Sequence, residues 1–167
     1  MSDLSICISC LIPALLLLLA ANGAPILTAK WLGKHMAWPI DFGYCLANGT
    51  ELLGHSKTWR GLISAMFCTG ILAVFFRIDP LIGTLFGILS MAGDCISSFI
   101  KRRLKYRSSS RSRGLDTVPE SLLPILVLKQ PLSLGAIDIF TIVLIFFLLE
   151  EFVSPILFYW HIRNRPY

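Results

Sequence analysis

Charge is what this sequence has least of. Acidic and basic side chains together make up 15% of its 167 residues, against roughly a quarter in a soluble domain. That shortage excludes a water-solvated surface over most of the chain. Apolar residues fill 55% of it and the mean hydropathy is +0.72, so lipid is the expected solvent. No Pro- or Ser-rich linker divides two apolar blocks and no internal repeat is evident, which leaves one membrane-embedded domain over residues 1–167. Histidine is scarce too: His35, His55 and His161 are too dispersed for a metal motif. The five cysteines, at 7, 10, 45, 68 and 95, build no disulfide framework. Cys7 and Cys10 have CxxC spacing but no second Cys or His pair near them, so they read as plain membrane-helix cysteines rather than a zinc or redox site. A basic stretch ahead of the first apolar run is also missing. Asp3 is the only charge there, so the run reads as a retained span despite the cleavable look of residues 20–24.

What is present is a series of apolar runs. A bilayer core needs about 20 apolar residues per helix, and candidate spans fall at 4–21, 62–76, 80–100, 121–128 and 136–160. The second and third are separated only by Arg77, Ile78 and Asp79, a tight helical hairpin. The fourth is short and interrupted by Pro124. The expected fold is therefore an all-α integral membrane protein of about five transmembrane helices, with two loops forming a polar site. Gly83 and Gly87 give the third span a GxxxG, a signature of close helix packing. Asn48-Gly49 reads as a tight turn, Ser108 to Arg113 as a mobile loop, and Ser154-Pro155 as a kink in the fifth span.

Lys and Arg set the orientation. Thirteen of the fifteen fall in segments 22–61, 101–120 and the C-terminal tail; Arg77 and Lys129 alone lie on the other side. The positive-inside rule then places the N-terminus outside and both long loops in the cytoplasm, on a multi-pass protein of the inner (plasma) membrane. The basic residues flank apolar spans instead of forming a soluble basic face, which argues against nucleic acid and for lipid head groups or a phosphate-bearing ligand.

The polar residues that carry chemistry lie on that side. On a helix Asp94, Ser97, Ser98 and Lys101 share one face. A carboxylate within an apolar span is costly unless paired, protonated or bound to a cation. Either a structural Asp94 contact or a phosphate and metal site accounts for the stripe. Asp116, after Gly114-Leu115, is a second carboxylate that joins Asp94 around a hard cation if the loop folds back. Lys57-Thr58-Trp59-Arg60-Gly61 opens the second span, with an interfacial anchor as the simple alternative. Arg102, Arg103 and Lys105 serve equally well as ligands or as an anionic-lipid contact. Glu150 and Glu151 sit unusually within the fifth span, where one faces the same cavity or is protonated in the bundle.

In chain order Asn22-Gly23-Ala24-Pro25, Pro39-Ile40-Asp41 with Gly43, Gly54 to Gly61, Gly93-Asp94 with Ser98 to Arg103, and Gly114-Leu115-Asp116 resemble the CDP-archaeol synthase family over nearly the whole chain. The chain is also similar to a compact CDP-diacylglycerol synthase, although the larger enzymes' His-Gly-Gly segment keeps only Gly114 as a counterpart. The resemblance implies transfer of a cytidylyl group from CTP to a membrane lipid phosphate, with Mg2+ and release of pyrophosphate. It implies Asp94 and Asp116 as metal-binding and catalytic carboxylates and Lys101 as a catalytic cation. Lys57, Arg60 and Lys101 would meet phosphates, Asn22 and Asp41 would shape the nucleotide pocket, and Thr58, Ser98 and Arg102 would line it. Residues 108–113 and 119–124 look more like bacterial relatives, so an ether-linked isoprenoid acceptor does not follow. A CDP-alcohol phosphotransferase lacks support, since its Asp-Gly-x-x-Ala-Arg signature is absent. A non-catalytic scaffold or small transporter is the alternative from another class.

Overall fold

The computed structural model describes residues 7–33, 35–46, 50–106 and 114–159, with side chains through 152. The turn expected at Asn48-Gly49, the loop expected at Ser108 to Arg113 and the side chains at the expected kink lie outside the described residues, as do the tail and His161. Five helices follow in order: α1 (Ile8–Leu32), α2 (Trp59–Phe75), α3 (Pro80–Arg103), α4 (Thr117–Val127) and α5 (Ala136–Tyr159). α1 and α3, at 25 and 24 residues, are long and apolar enough to cross a bilayer. The protein is thus helical and of membrane character.

Of the boundaries that differ from expectation, two bear on the polar end. α1 runs eleven residues beyond residue 21 and includes Pro25. A mid-helix proline removes one N–H and crowds the preceding turn, yet the helix continues to Gly33. There the Gly33 N–H closes the last turn on the Ala29 carbonyl at 3.1 Å, and a positive φ of 56° carries the chain out of the helix. α4 begins four residues before residue 121, directly after Asp116. Its 11 residues span only about 16 Å, roughly half of the hydrocarbon thickness.

α3 is the axis of the bundle: α2 and α4 pack against it, and α1 packs on α2. Glycine makes those approaches possible. A Cβ at Gly83 would run into Ala73 and the Thr69 carbonyl, and one at Gly87 would come 2.9 Å from the Ala65 carbonyl. The expected GxxxG is therefore the seam of the α2–α3 hairpin. Asp79 caps α3, accepting from the Leu81 N–H at 2.8 Å, and Pro80 supplies the first helical residue. The core between α1, α3, α4 and α5 holds Leu17, Leu18, Phe86, Ile125, Ile142 and Phe146, all fully buried.

The ends of the bundle differ in character. At one, Cys7 and Cys10 form a disulfide with Cα atoms 5.3 Å apart, and Asp138 accepts from the Cys7 N–H at 2.9 Å. These two were expected to stay unpaired; their i,i+3 spacing at the start of a helix places both on one face within bridging distance. At the other end meet the C-termini of α1 and α3, the N-termini of α2 and α4, and the loop from 35 to 58. Trp31, Trp38 and Trp59 are exposed there, as suits a head-group belt.

Candidate active site

The loop before α2 folds back on itself. Ile40 N–H donates to the Lys57 carbonyl at 2.8 Å, Trp59 N–H to the Trp38 carbonyl at 3.0 Å, and Leu52 N–H to the Tyr44 carbonyl at 3.0 Å. Asp41 braces it: Oδ2 accepts from Leu53 N–H at 2.9 Å and Gly54 N–H at 3.3 Å, while Oδ1 accepts from Gly43 N–H at 3.1 Å. Burial pushes the Asp41 carboxyl up, but the three backbone donors outweigh it and hold its pKa below the ordinary aspartate value. Arg60 Nη1 donates to the carbonyls of Gly33 at 3.0 Å and His35 at 2.8 Å, tying α2 to the end of α1. Thr58 is the N-cap of α2, its Oγ1 accepting from Gly61 N–H at 3.2 Å.

This scaffold delivers Lys57 to α3, where its Nζ pairs with Asp94. Burial works against the Lys57 charge, but attraction to Asp94 prevails and raises its pKa above that of ordinary lysine. Two turns on, Lys101 Nζ meets Asp116 Oδ1 at 2.8 Å. The two carboxylates expected around one cation are thus each held by a lysine from a different element. Lys101, though on the Asp94 stripe, serves Asp116 instead. Both pairs are mostly screened from water, with side chains 8–26% exposed.

The remaining expected residues divide. Ser98 and Arg102 are buried on α3, and Arg102 Nη1 donates to the Tyr106 carbonyl. Ser97 Oγ donates to the Asp94 carbonyl at 2.9 Å. Asn22 lies inside α1, and its Nδ2 is buried without a hydrogen-bond partner. Asp41, Thr58 and Arg60 are engaged with backbone in and around the loop before α2. Arg103 reaches across to the Glu51 carbonyl at 3.1 Å and lies 5.1 Å over the Phe99 ring.

Sequence reasoning missed Glu120, which is 4% exposed on α4 and feels the charges of Asp94, Glu150, Lys57 and Asp116. The one available signal was an acid in the first turn of an apolar helix. Glu150 accepts from Thr117 Oγ1 at 2.6 Å, at the start of α4. Among the described residues no three His, Cys, Asp or Glu side chains converge as a ready-made metal cage. The donor set still suits magnesium, a hard cation held through one or two carboxylates plus ligand phosphates.

Two largely buried lysines paired with carboxylates, with an unpartnered amide on α1, suit an anionic ligand. Residues 7–166 match the model of the CarS-like CDP-archaeol synthases. The chain belongs to the CDP-archaeol synthase family. A CDP-archaeol synthase of Sulfurisphaera tokodaii is 34% identical over 135 residues, covering 77% of this chain and 81% of that one. One from Hyperthermus butylicus is 36% identical over 112 residues, 64% of this chain and 61% of the relative. One from Saccharolobus solfataricus is 43% identical over 83 residues, about half of either chain. The fold has a solved counterpart, an intramembrane enzyme for archaeal membrane lipids biosynthesis. It aligns with a TM-score of 0.68 at 21% identity, over 83% of this chain and 91% of that one.

Proposed function

We infer that this CDP-archaeol synthase family member is a CTP-dependent cytidylyltransferase that activates a membrane lipid phosphate to a CDP-lipid and releases pyrophosphate. The carrying observation is the convergence of Lys57–Asp94 and Lys101–Asp116 at one polar bundle end, in a chain matched to the family from residue 7 to 166. A phosphate monoester oxygen attacks the α-phosphorus of CTP, and the bond to the β-phosphate oxygen breaks. The attacking oxygen is already anionic at neutral pH, so no Ser or Cys nucleophile is required. What the reaction needs is neutralisation of two anions that repel each other and their in-line placement.

Lys57 and Lys101 supply the first requirement, being buried enough that their charges act with little screening. Asp94 and Asp116 are the carboxylates that would hold Mg2+, which when bound withdraws charge from the phosphate oxygens. Asn22, Ser98 and Arg102 line the nucleotide pocket, and Thr58, Arg60 and Asp41 fix the loop that closes it. The match to the CDP-archaeol synthases over residues 7–166 disfavours a scaffold or transporter. The reading is of one domain over 1–167, and the charge asymmetry supports an outside N-terminus and a cytoplasmic site. CTP then arrives from water and the acceptor laterally from the bilayer.

The test is incubation of purified protein with radiolabelled CTP, Mg2+ and a panel of ether- and ester-linked lipid phosphates. A labelled CDP-lipid is expected from at least one acceptor; none from any would sink the reading. Asp94→Asn and Asp116→Asn are each expected to lower turnover by a factor of at least about 1,000, the scale of one lost charge-stabilising group. Both should leave protein that elutes normally in detergent. Full activity in either removes that residue from the site.

A further inference from the structure

Four of the carboxyl groups at the polar end are electrostatic neighbours, and three of these four are satisfied. Asp94 has Lys57, Asp116 has Lys101 at 2.8 Å, and Glu150 accepts from Thr117 Oγ1 at 2.6 Å. Glu120 differs. Its side chain is 96% buried by its 4% exposure, and its Oε1 has no hydrogen-bond partner. Its position is enforced by backbone packing: a Cβ at Gly93 would come 2.8 Å from the Glu120 Cα, so α4 presses onto α3 one residue from Asp94. Glu120 thereby enters the field of Asp94, Asp116 and Glu150, with Lys57 the cation opposite.

A carboxylate oxygen left without donors inside a protein is strongly unfavourable. It is tolerated where something outside the protein's own groups completes it. Magnesium gives up its hydration water reluctantly and usually keeps several waters when bound. Those waters are O–H donors with enhanced acidity, and a buried carboxylate next to the cation's direct ligands is the natural acceptor for them.

We propose that Glu120 is a third carboxylate of the cation site, accepting hydrogen bonds from the waters that the divalent ion retains while Asp94 and Asp116 bind it directly. This rests on the reading of Asp94 and Asp116 as the cation's carboxylates. Glu120 is a positioning residue: it acts on the nucleotide through the ion.

The experiment is a titration of the full chain in detergent with Mn2+, followed by electron paramagnetic resonance, with CTP present and lipid acceptor absent so that nothing turns over. Wild type, Asp94→Asn and Glu120→Gln are compared. Glu120→Gln, which keeps the shape and removes the charge, is expected to weaken Mn2+ binding about 10- to 100-fold, the usual effect of losing an outer partner of a metal site. Wild-type Mn2+ affinity in Glu120→Gln overturns the proposal. If Asp94→Asn loses Mn2+ while Glu120→Gln does not, this inference fails alone; if neither changes affinity, the underlying cation site fails with it. Should Glu120→Gln not give monodisperse protein, Glu120→Asp carries the same test, since a shortened carboxylate also weakens binding and unchanged affinity is equally fatal.

Discussion

Asp41 holds its loop with one carboxylate and three backbone donors. A folded-state pKa below the ordinary value means that its contribution is present above that value and is lost as the pH falls through the folded one. The loop of residues 35–58 should therefore loosen below about pH 4, while the helices persist. Limited proteolysis by an acid-tolerant protease would show faster loop cleavage in that range. Asp41→Asn should be cleaved at neutral pH about as readily as wild type in acid; an Asp41→Asn loop with wild-type resistance at pH 7 would refute the brace. At this scale the sequence singled out charged side chains better than it foresaw whom they meet. Asp94, Lys101, Asp116 and Lys57 stand out because charges are rare in apolar runs. Their pairing was hidden because helical spacing relates Asp94 only to residues on its own helix, while the partners are chosen by a loop and by α4. Glu120 was passed over for a related reason: an acid in the first turn of a helix is ordinary, and its burial comes from the contact with Gly93.

Among the elements, α3 depends most on what it lacks. Gly93 meets the Pro119 carbonyl and the Glu120 backbone so closely that any side chain forces α4 outward. Gly93→Ala is expected to cost about 1–3 kcal/mol, the range for overpacking, read as a lower melting temperature in detergent. It should also cut CDP-lipid formation at least tenfold, because Asp116 and Glu120 ride on α4. Gly83→Ala, at the far end of the helix against Ala73, is expected to lose stability but to keep most turnover. Equal activity losses in both would mean that the α3–α4 approach has no special bearing on the site. The α2–α3 hairpin and the start of α3 were legible because Asp79-Pro80 is a strong helix entry and glycines spaced by four mark a seam. The end of α1 was not. Asn22 to Pro25 looks like a break, and only packing against α2 makes the helix worth continuing past its proline.

Over the whole molecule, chemistry and charge share an end. Thirteen of fifteen basic residues lie in segments assigned to one side by sequence. The C-termini of α1 and α3 and the N-termini of α2 and α4 then bring the candidate site together there. Fusions of a periplasm-active reporter and a cytoplasm-active reporter to each terminus test the orientation. The N-terminal fusion should report outside and the C-terminal one inside, and a cytoplasmic N-terminus would overturn the topology. The expected side preference sums over many residues, so errors of a few positions in the spans do not reverse it.

The two lysine–aspartate pairs carry one more consequence. At rest each carboxylate is already neutralised from within, so a cation arriving alone has to displace an ammonium group, and so does a lone phosphate seeking a lysine. A nucleotide that draws Lys57 or Lys101 away leaves an aspartate oxygen behind it, and the two ligands thereby raise each other's affinity by the same factor, as linkage demands. The resting site is a closed latch that neither ligand opens well without the other.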